Sequence, residues 1–176
     1  MINLYCYIFG ALPVNDFSFN ITDNDLIIAA DSGLNNTQKF KIIPQLIIGD
    51  FDSLGYKPEG DCVITHPVEK DDTDTLLAVK YAFEKGYKHF RIFGCIGGRL
   101  DHTFANIQTA TYIAENGGTA VFYGESENFT VIKNNHIRFE KNNSGNISVF
   151  ALKDSKNVDI EGLFFEMKNG NLSPSF

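Results

Sequence analysis

Three short clusters in this sequence hold the residue types that handle phosphate and divalent metal. The apolar run LIIAAD ends at Asp31, and LIIGDFD ends at Asp50 and Asp52. Asp50 and Asp52 stand two residues apart, so an extended backbone would project both carboxylates to one side. Two carboxylates aimed the same way repel unless a cation or a proton lies between them. The plainer reading is a turn in which an Asp caps the following segment. The second cluster is EKDDTD, residues 69–74, at the start of a helical pattern. Capping explains one or two acids there, not Asp71, Asp72 and Asp74 together. Asp71 and Asp74, three apart, would share one face at the helix start. Lys70 beside them is either a solvated charge or a phosphate contact. The third cluster is GCIGGRLDH, residues 94–102. Gly97 and Gly98 permit positive φ and close approach of the backbone to a ligand. The helix that follows offers free N–H groups to an anion, and Arg99 adds a planar cationic fork. Arg99, His102 and Asn106 fall at i, i+3 and i+7, a polar face that could simply be solvated.

Each cluster alone has an ordinary structural explanation. Together they hold what phosphoryl or pyrophosphoryl transfer needs. Carboxylate oxygens hold Mg²⁺ while the metal keeps sites for phosphate oxygens, and the Gly/Arg loop holds further phosphate. Neither GxGxxG nor a P-loop occurs. The other histidines, His66, His89 and His136, have no metal-ligand spacing and read as structural.

The elements that must position these clusters can be read from the apolar pattern. LYCYIFG, DLIIAAD, QLIIGDFD, CVITH, HFRIFG and TAVFYG read as strands, several of them apolar on both faces. A helix is expected from Thr73 to Lys85, with Leu76, Val79 and Phe83 inward and Gly86 as its stop. A second is expected from Arg99 to Glu115, with Leu100, Phe104, Ile107 and Ala114 inward. Strands alternating with helices imply an α/β fold: a Rossmann-like, mainly parallel sheet with helices on both faces. Ligands of such sheets bind outside the carboxyl ends of the strands, where the acids stand. After Gly124 the texture changes. FTVIK, HIRFEK, NISVFAL and VDIEGLFFEM read as strands separated by Asn-, Gly- and Ser-rich turns. The expected organisation is a catalytic α/β domain over 1–125 and a small antiparallel, sandwich-like β domain over 126–176.

Charge agrees with this division. The formal net charge is −7. All of the excess lies before Ser126, and eight Asp residues stand between Asp31 and Asp101. A nucleic-acid backbone is excluded as the main partner, because it wants Lys and Arg. No apolar run approaches the ~20 residues that span a bilayer, and the N-terminus lacks the features of a signal peptide. Cys6, Cys62 and Cys95 are scattered within apolar runs, without CxxC, and are expected to be reduced, buried thiols of a cytoplasmic protein.

AADSGLN (29–35), P-x-LIIGDFDS (44–53), KDDTD (70–74) and GGRLDH-x3-N (97–106) resemble, in order and spacing, the thiamine pyrophosphokinase family. ISVFAL and the later V-x-I-EGLFFEM are similar to that family's smaller β domain. The resemblance implies an enzyme that moves a pyrophosphoryl group from ATP to the hydroxyl of thiamine, giving thiamine diphosphate and AMP. It implies a homodimer with active sites near the interface. Asp50, Asp52, Asp71, Asp74 and Asp101 would be the acidic, Mg²⁺-holding positions, and Arg99 would join them in catalysis. Asp31, Ser32, Lys70, Thr73, Gly97, Gly98, Arg99, His102 and Asn106 would line the nucleotide side, while Asp72 falls where variation is expected. In the family the β domain usually continues to a Ser-Asn segment that helps bind thiamine, whereas this sequence reads LSPSF there. Two rival readings remain. LIIGDFDS nearly gives the strand-end DxD of a haloacid-dehalogenase-like phosphatase, but Leu54 stands where that pattern wants Thr, and the strand is not the first of the fold. A non-catalytic nucleotide- or metal-binding module is the other.

Overall fold

Short runs of Ile, Leu, Ala and Phe that are apolar at every position can be buried only if both faces of a strand are covered. In the computed structural model, which describes residues 4–60, 62–65, 72–141 and 145–175, that is their situation. Strands β1 (Tyr5–Phe9), β2 (Leu26–Ala30), β3 (Leu46–Gly49), β4 (Val63–Thr65), β5 (His89–Phe93) and β6 (Thr119–Tyr123) form one sheet in the order β4-β3-β2-β1-β5-β6. All of these pairs are parallel. A short β7 (Asn128–Phe129) adds antiparallel to β6, with Phe122 stacked on Phe129. The chain steps outward from β1 to β4, then returns to lay β5 against the other side of β1. The order therefore reverses between β1 and β5, which in an open α/β sheet marks the ligand-binding crevice.

Helices cover both faces. On one, α2 (Asp74–Glu84) and α3 (Leu100–Glu115) bury Ala78, Val79, Ala82, Ala110 and Ile113 against Ile8, Ile28, Ile48, Ile92 and Phe122. The other face carries α1 (Gly33–Lys39) and an irregular segment whose Val14, Phe17 and Phe19 pack on Tyr7, Phe9 and Phe93. Phe9 stacks on Phe93, and Phe93 on Tyr123.

Three expectations about this unit change. Helix α1 was invisible to apolar periodicity, because GLNNTQK has one large apolar residue; what it buries is Gly33, Leu34, Asn36 and Thr37. The inward face of α3 is not the one that Leu100 and Phe104 define. Those two are 75% and 63% exposed, and the buried stripe is Asn106, Thr109, Ala110 and Ile113. Its polar members are satisfied internally, Thr109 Oγ1 donating to the Ala105 carbonyl at 3.0 Å, so hydrophobicity alone could not find them. Cys62 is exposed, unlike Cys6 and Cys95; all three are free thiols.

The first compact unit runs to Ile137, past Glu125, because β7 belongs to its sheet; the second begins at Arg138. Within the second unit β8 (Ser155–Ile160) pairs antiparallel with β9 (Met167–Leu172). HIRFEK and NISVFAL are not strands, and Phe139, Ile147, Val149 and Phe150 are exposed. Alternation of apolar and polar residues marks a potential strand, but only a hydrogen-bonded partner makes one. The sandwich expectation thus reduces to a two-stranded antiparallel sheet among the described residues.

Gly33 fixes how α1 meets β1, since a Cβ there would lie 1.8 Å from the Phe9 carbonyl oxygen. Gly33→Ala should cost about 1–3 kcal/mol through this overlap. Urea unfolding followed by circular dichroism measures the cost, and an unchanged midpoint would refute the contact.

Candidate active site at the carboxyl edge of the sheet

Because the six main strands run parallel, their carboxyl ends share one edge, and the three chemical clusters leave from it. Asp31 follows β2, Asp50 and Asp52 follow β3, Thr73 and Asp74 open α2 beyond β4, and Gly94 to Arg99 follow β5. Lys70 and Asp71 lie outside the described residues.

Asp31 takes a left-handed conformation with φ 50°, which Asp tolerates better than most residues. Gly49 makes room for it, as a Cβ there would come within 3.0 Å of the Asp31 Cα. The Asp31 N–H continues the sheet by donating to the Ile48 carbonyl at 2.8 Å. Its carboxylate is divided: Oδ2 accepts from the hydroxyl of buried Ser32 at 3.4 Å, whereas Oδ1 is buried with no partner among the described residues. An acceptor buried without a donor costs free energy, and a cation or donor from a ligand would offset it.

Asp50 and Asp52 do not project from one extended strand. Phe51 between them is left-handed, with φ 65°, and Asp52 begins a single 3-10 turn to Leu54. The bend exists because Phe51 is buried with Ala29, Leu34 and Ile47. Burying a Phe side chain stabilises by about 1.5–3 kcal/mol, enough to offset the roughly 1–2 kcal/mol of a left-handed non-glycine residue. Asp50 Oδ1 accepts the Asp52 N–H at 3.2 Å, so the pair is held together by the turn rather than by pleating.

At the head of α2 it is Thr73, not Asp72, that caps: its hydroxyl accepts the Leu76 N–H at 3.2 Å. Asp72 is paired instead with Lys80, two turns along, at 2.5 Å. One residue missed by the sequence reading, Thr75, joins this helix to the glycine loop. It is buried, and its Oγ1 lies 3.7 Å from the Cys95 Sγ.

The glycine loop is shaped from beneath. Gly94, Gly97 and Gly98 all have positive φ. Asn106 is buried and donates to the Cys95 carbonyl at 2.8 Å, so it holds the loop from inside. Thr103 Oγ1 is 3.3 Å from both the Gly97 and Arg99 carbonyls. Above the loop, Arg99 binds Asp101 through two hydrogen bonds, Nε to Oδ1 at 3.1 Å and an Nη to Oδ2 at 2.5 Å. The Arg99 guanidinium holds the Asp101 carboxyl below the usual carboxylate range, with help from the His102 N–H. Both partners are exposed, as is His102, so an incoming anion could draw Arg99 away at little cost.

The loop after β1 forms the crevice's other wall. The Gly10 N–H donates to the Phe93 carbonyl at 2.7 Å and the Leu12 N–H to that of Gly94 at 3.0 Å. Asn36, also missed by the sequence reading, donates to the Gly10 and Leu12 carbonyls. No apolar-pattern signal marks it; only the glycines it touches give a hint.

The described residues do not by themselves bring three metal-ligating groups together. The donor set at the edge is nonetheless all carboxylate oxygen, and the orphaned Asp31 Oδ1 adds a buried one, which fits a hard cation such as Mg²⁺. A cavity of about 310 Å³ lined by Arg91, Lys133 and His136 runs along β6 and takes none of the edge residues.

An open α/β sheet whose acids and glycine-arginine loop meet at the switch point has the architecture in which such sheets bind ligands. The model for the catalytic domain of thiamin pyrophosphokinase matches residues 20–122, and the chain belongs to that family. The thiamine pyrophosphokinase of Bacillus subtilis (strain 168) is 34% identical over 101 residues, which are 54% of this chain and 47% of that protein. The chain thus spans about half the length of the curated relative it matches. The crystal structure of the B. subtilis enzyme superposes with a TM-score of 0.83 over 98% of this chain and 86% of that one, at 23% identity. That of an Enterococcus faecalis thiamin pyrophosphokinase family protein does so with 0.77 over 97% and 85%, at 21% identity. At these identities the superpositions bear on the fold alone.

Burial pushes the Cys95 thiol up to about 11 and the Cys6 thiol well above its ordinary value near 9. The native state therefore keeps protons that the unfolded chain releases above pH 9. The contribution of these two thiols to stability should be constant at neutral pH and below, and should fall between about pH 9 and 11 as the unfolded thiols ionise. A series of urea midpoints measures the fall. At pH 8 a thiol reagent should label Cys62 rapidly, and Cys6 and Cys95 only after unfolding.

Proposed function

We propose that this protein transfers a pyrophosphoryl group from ATP to the hydroxyl of thiamine, giving thiamine diphosphate and AMP. The observation that carries the reading is a coincidence of two ranges. The stretch matched by the catalytic-domain family, 20–122, is the stretch that brings Asp31, the Asp50–Asp52 turn, the head of α2 and the Gly94–Arg99 loop to one sheet edge.

In the proposed reaction the thiamine hydroxyl attacks the β-phosphorus of ATP in line. A new O–P bond forms, the bridge between α- and β-phosphates breaks, and AMP leaves with the bridging oxygen. Arg99, released from Asp101, would hold the transferred group, with N–H groups from residues 97 and 98 beside it. Asp101, freed by the same exchange, or Asp71 would orient the hydroxyl and accept its proton. Asp50, Asp52, Asp71, Asp74 and Asp101 would hold Mg²⁺, with Asp31 behind them. The ion, when bound, neutralises charge on the phosphate oxygens. Ser32, Lys70, Thr73 and His102 would complete the nucleotide side, Ser32 and Thr73 by holding Asp31 and the head of α2 in place. The proposal includes a homodimer with sites near the interface, and a cytoplasmic location, which three free cysteines fit. Among the described residues no helix is long and apolar enough to cross a membrane. A phosphatase built on Asp50 is disfavoured: β3 is the third strand of the chain, and Phe51 turns Asp52 out of the strand.

Chromatography of a mixture of ATP, thiamine and Mg²⁺ should show equal amounts of AMP and thiamine diphosphate, and chelation should stop both. Asp50→Asn should lower the rate by about 100-fold or more, while circular dichroism is unchanged. Full activity in that variant removes Asp50 from the machinery; ADP, or no product from the unaltered chain, overturns the function.

A further inference from the structure

We propose that Asn36 is a positioning residue that sets the affinity for ATP, by holding the loop after β1 shut against the glycine loop after β5. This rests on the function proposed above. Asn36 is 5% exposed, on a helix of seven residues. Its amide is fully used: Nδ2 donates to the Gly10 carbonyl at 2.9 Å and the Leu12 carbonyl at 2.8 Å, and Oδ1 accepts the Val14 N–H at 3.0 Å. Two donors and an acceptor in one short planar group are what Asn offers; Asp lacks the donors and Leu lacks all three. Lys39, one turn on, adds a bond from Nζ to the Val14 carbonyl at 2.7 Å. The far side of the same loop is fastened to the strand-end backbone at Phe93 and Gly94. It also closes on the glycine turn, since a Cβ on Gly98 would meet Leu12 Cδ2 at 2.9 Å and one on Gly94 would meet the Leu12 carbonyl oxygen at 2.5 Å. One buried amide thus holds the shape of the wall that the Gly10–Phe93 and Leu12–Gly94 bonds press against the glycine loop. An ordinary packing position under a helix this short would be filled by an apolar side chain; here three backbone groups, of Gly10, Leu12 and Val14, are fastened to one amide.

Binding of ATP with Mg²⁺ is measured by calorimetric titration of the full chain, with steady-state kinetics and urea unfolding alongside. Asn36→Asp should raise the Kd for ATP at pH 8 by about tenfold, because its carboxylate faces two carbonyls; relative to the unaltered protein at each pH, the deficit should shrink at pH 5.5 to about threefold, when a proton restores one donor. kcat and the KM for thiamine should change less than about threefold. Lys39→Met, which removes the bond from Nζ to the Val14 carbonyl, should raise the Kd about two- to threefold with only a small fall in the urea midpoint, and decides the matter alone if Asn36→Asp does not fold. A lowered midpoint with unaltered ATP affinity, or a loss confined to kcat, overturns the inference. If the unaltered protein binds ATP but makes no thiamine diphosphate, the proposed function falls, and the Kd comparison still decides the role of Asn36. If it binds no ATP, both fall.

Discussion

How closely the backbones leaving β1 and β5 approach each other decides everything at the carboxyl edge. The two strands pair along their full length, and the pairing continues beyond them into the Gly10–Phe93 and Leu12–Gly94 hydrogen bonds. Side chains at residues 10, 33 and 94 would fall inside neighbouring atoms, so glycine is required at each. That contact brings a β1 loop, a helix and a glycine turn together at one edge. The acids on β2 and β3 take their places relative to it through the sheet register.

A second constraint ties the acidic segment to the glycine loop. Thr75 on α2 meets Cys95, and Asn106 on α3 holds the Cys95 carbonyl. The head of α2 and the glycine loop therefore share one buried point. Charges on the rim are partly spent in internal pairs, Asp72 with Lys80 and Asp101 with Arg99. The second of these is exposed at both ends, which makes it exchangeable, whereas Asp31 keeps a buried oxygen in reserve.

Much of this was legible in the sequence, for identifiable reasons. The six parallel strands announced themselves because burial on both faces leaves uninterrupted apolar runs, and the acids could be assigned to one edge because parallel strands end together. What the sequence concealed was carried by polar residues doing internal work. Asn36, Thr75 and Asn106 look solvated to any hydrophobic count, yet all are buried. Helix α3 was rotated in the reading for that reason, its apolar Leu100 and Phe104 facing out while Asn106 faces in. The Asp50–Asp52 pair was drawn as a strand because nothing local says that Phe51 prefers the core to a pleat. After Gly124 alternation suggested four strands; FTVIK keeps only Phe129 in β7, and VDIEGLFFEM is divided between the ends of β8 and β9.

The burial of Phe51 ties two properties that are usually separate. Its cluster is the smallest of the three hydrophobic groups, four buried residues under α1. The turn that aims Asp50 and Asp52 is held by that cluster rather than by the main core between the sheet and α2 and α3. Local openings draw on the least buried parts of a protein first. A perturbation that moved Phe51 out of this cluster would therefore change the acid turn before it touched the main core. The direction of two carboxylates thus rests on the burial of one phenylalanine, a packing contact that a change in the main core would not reach.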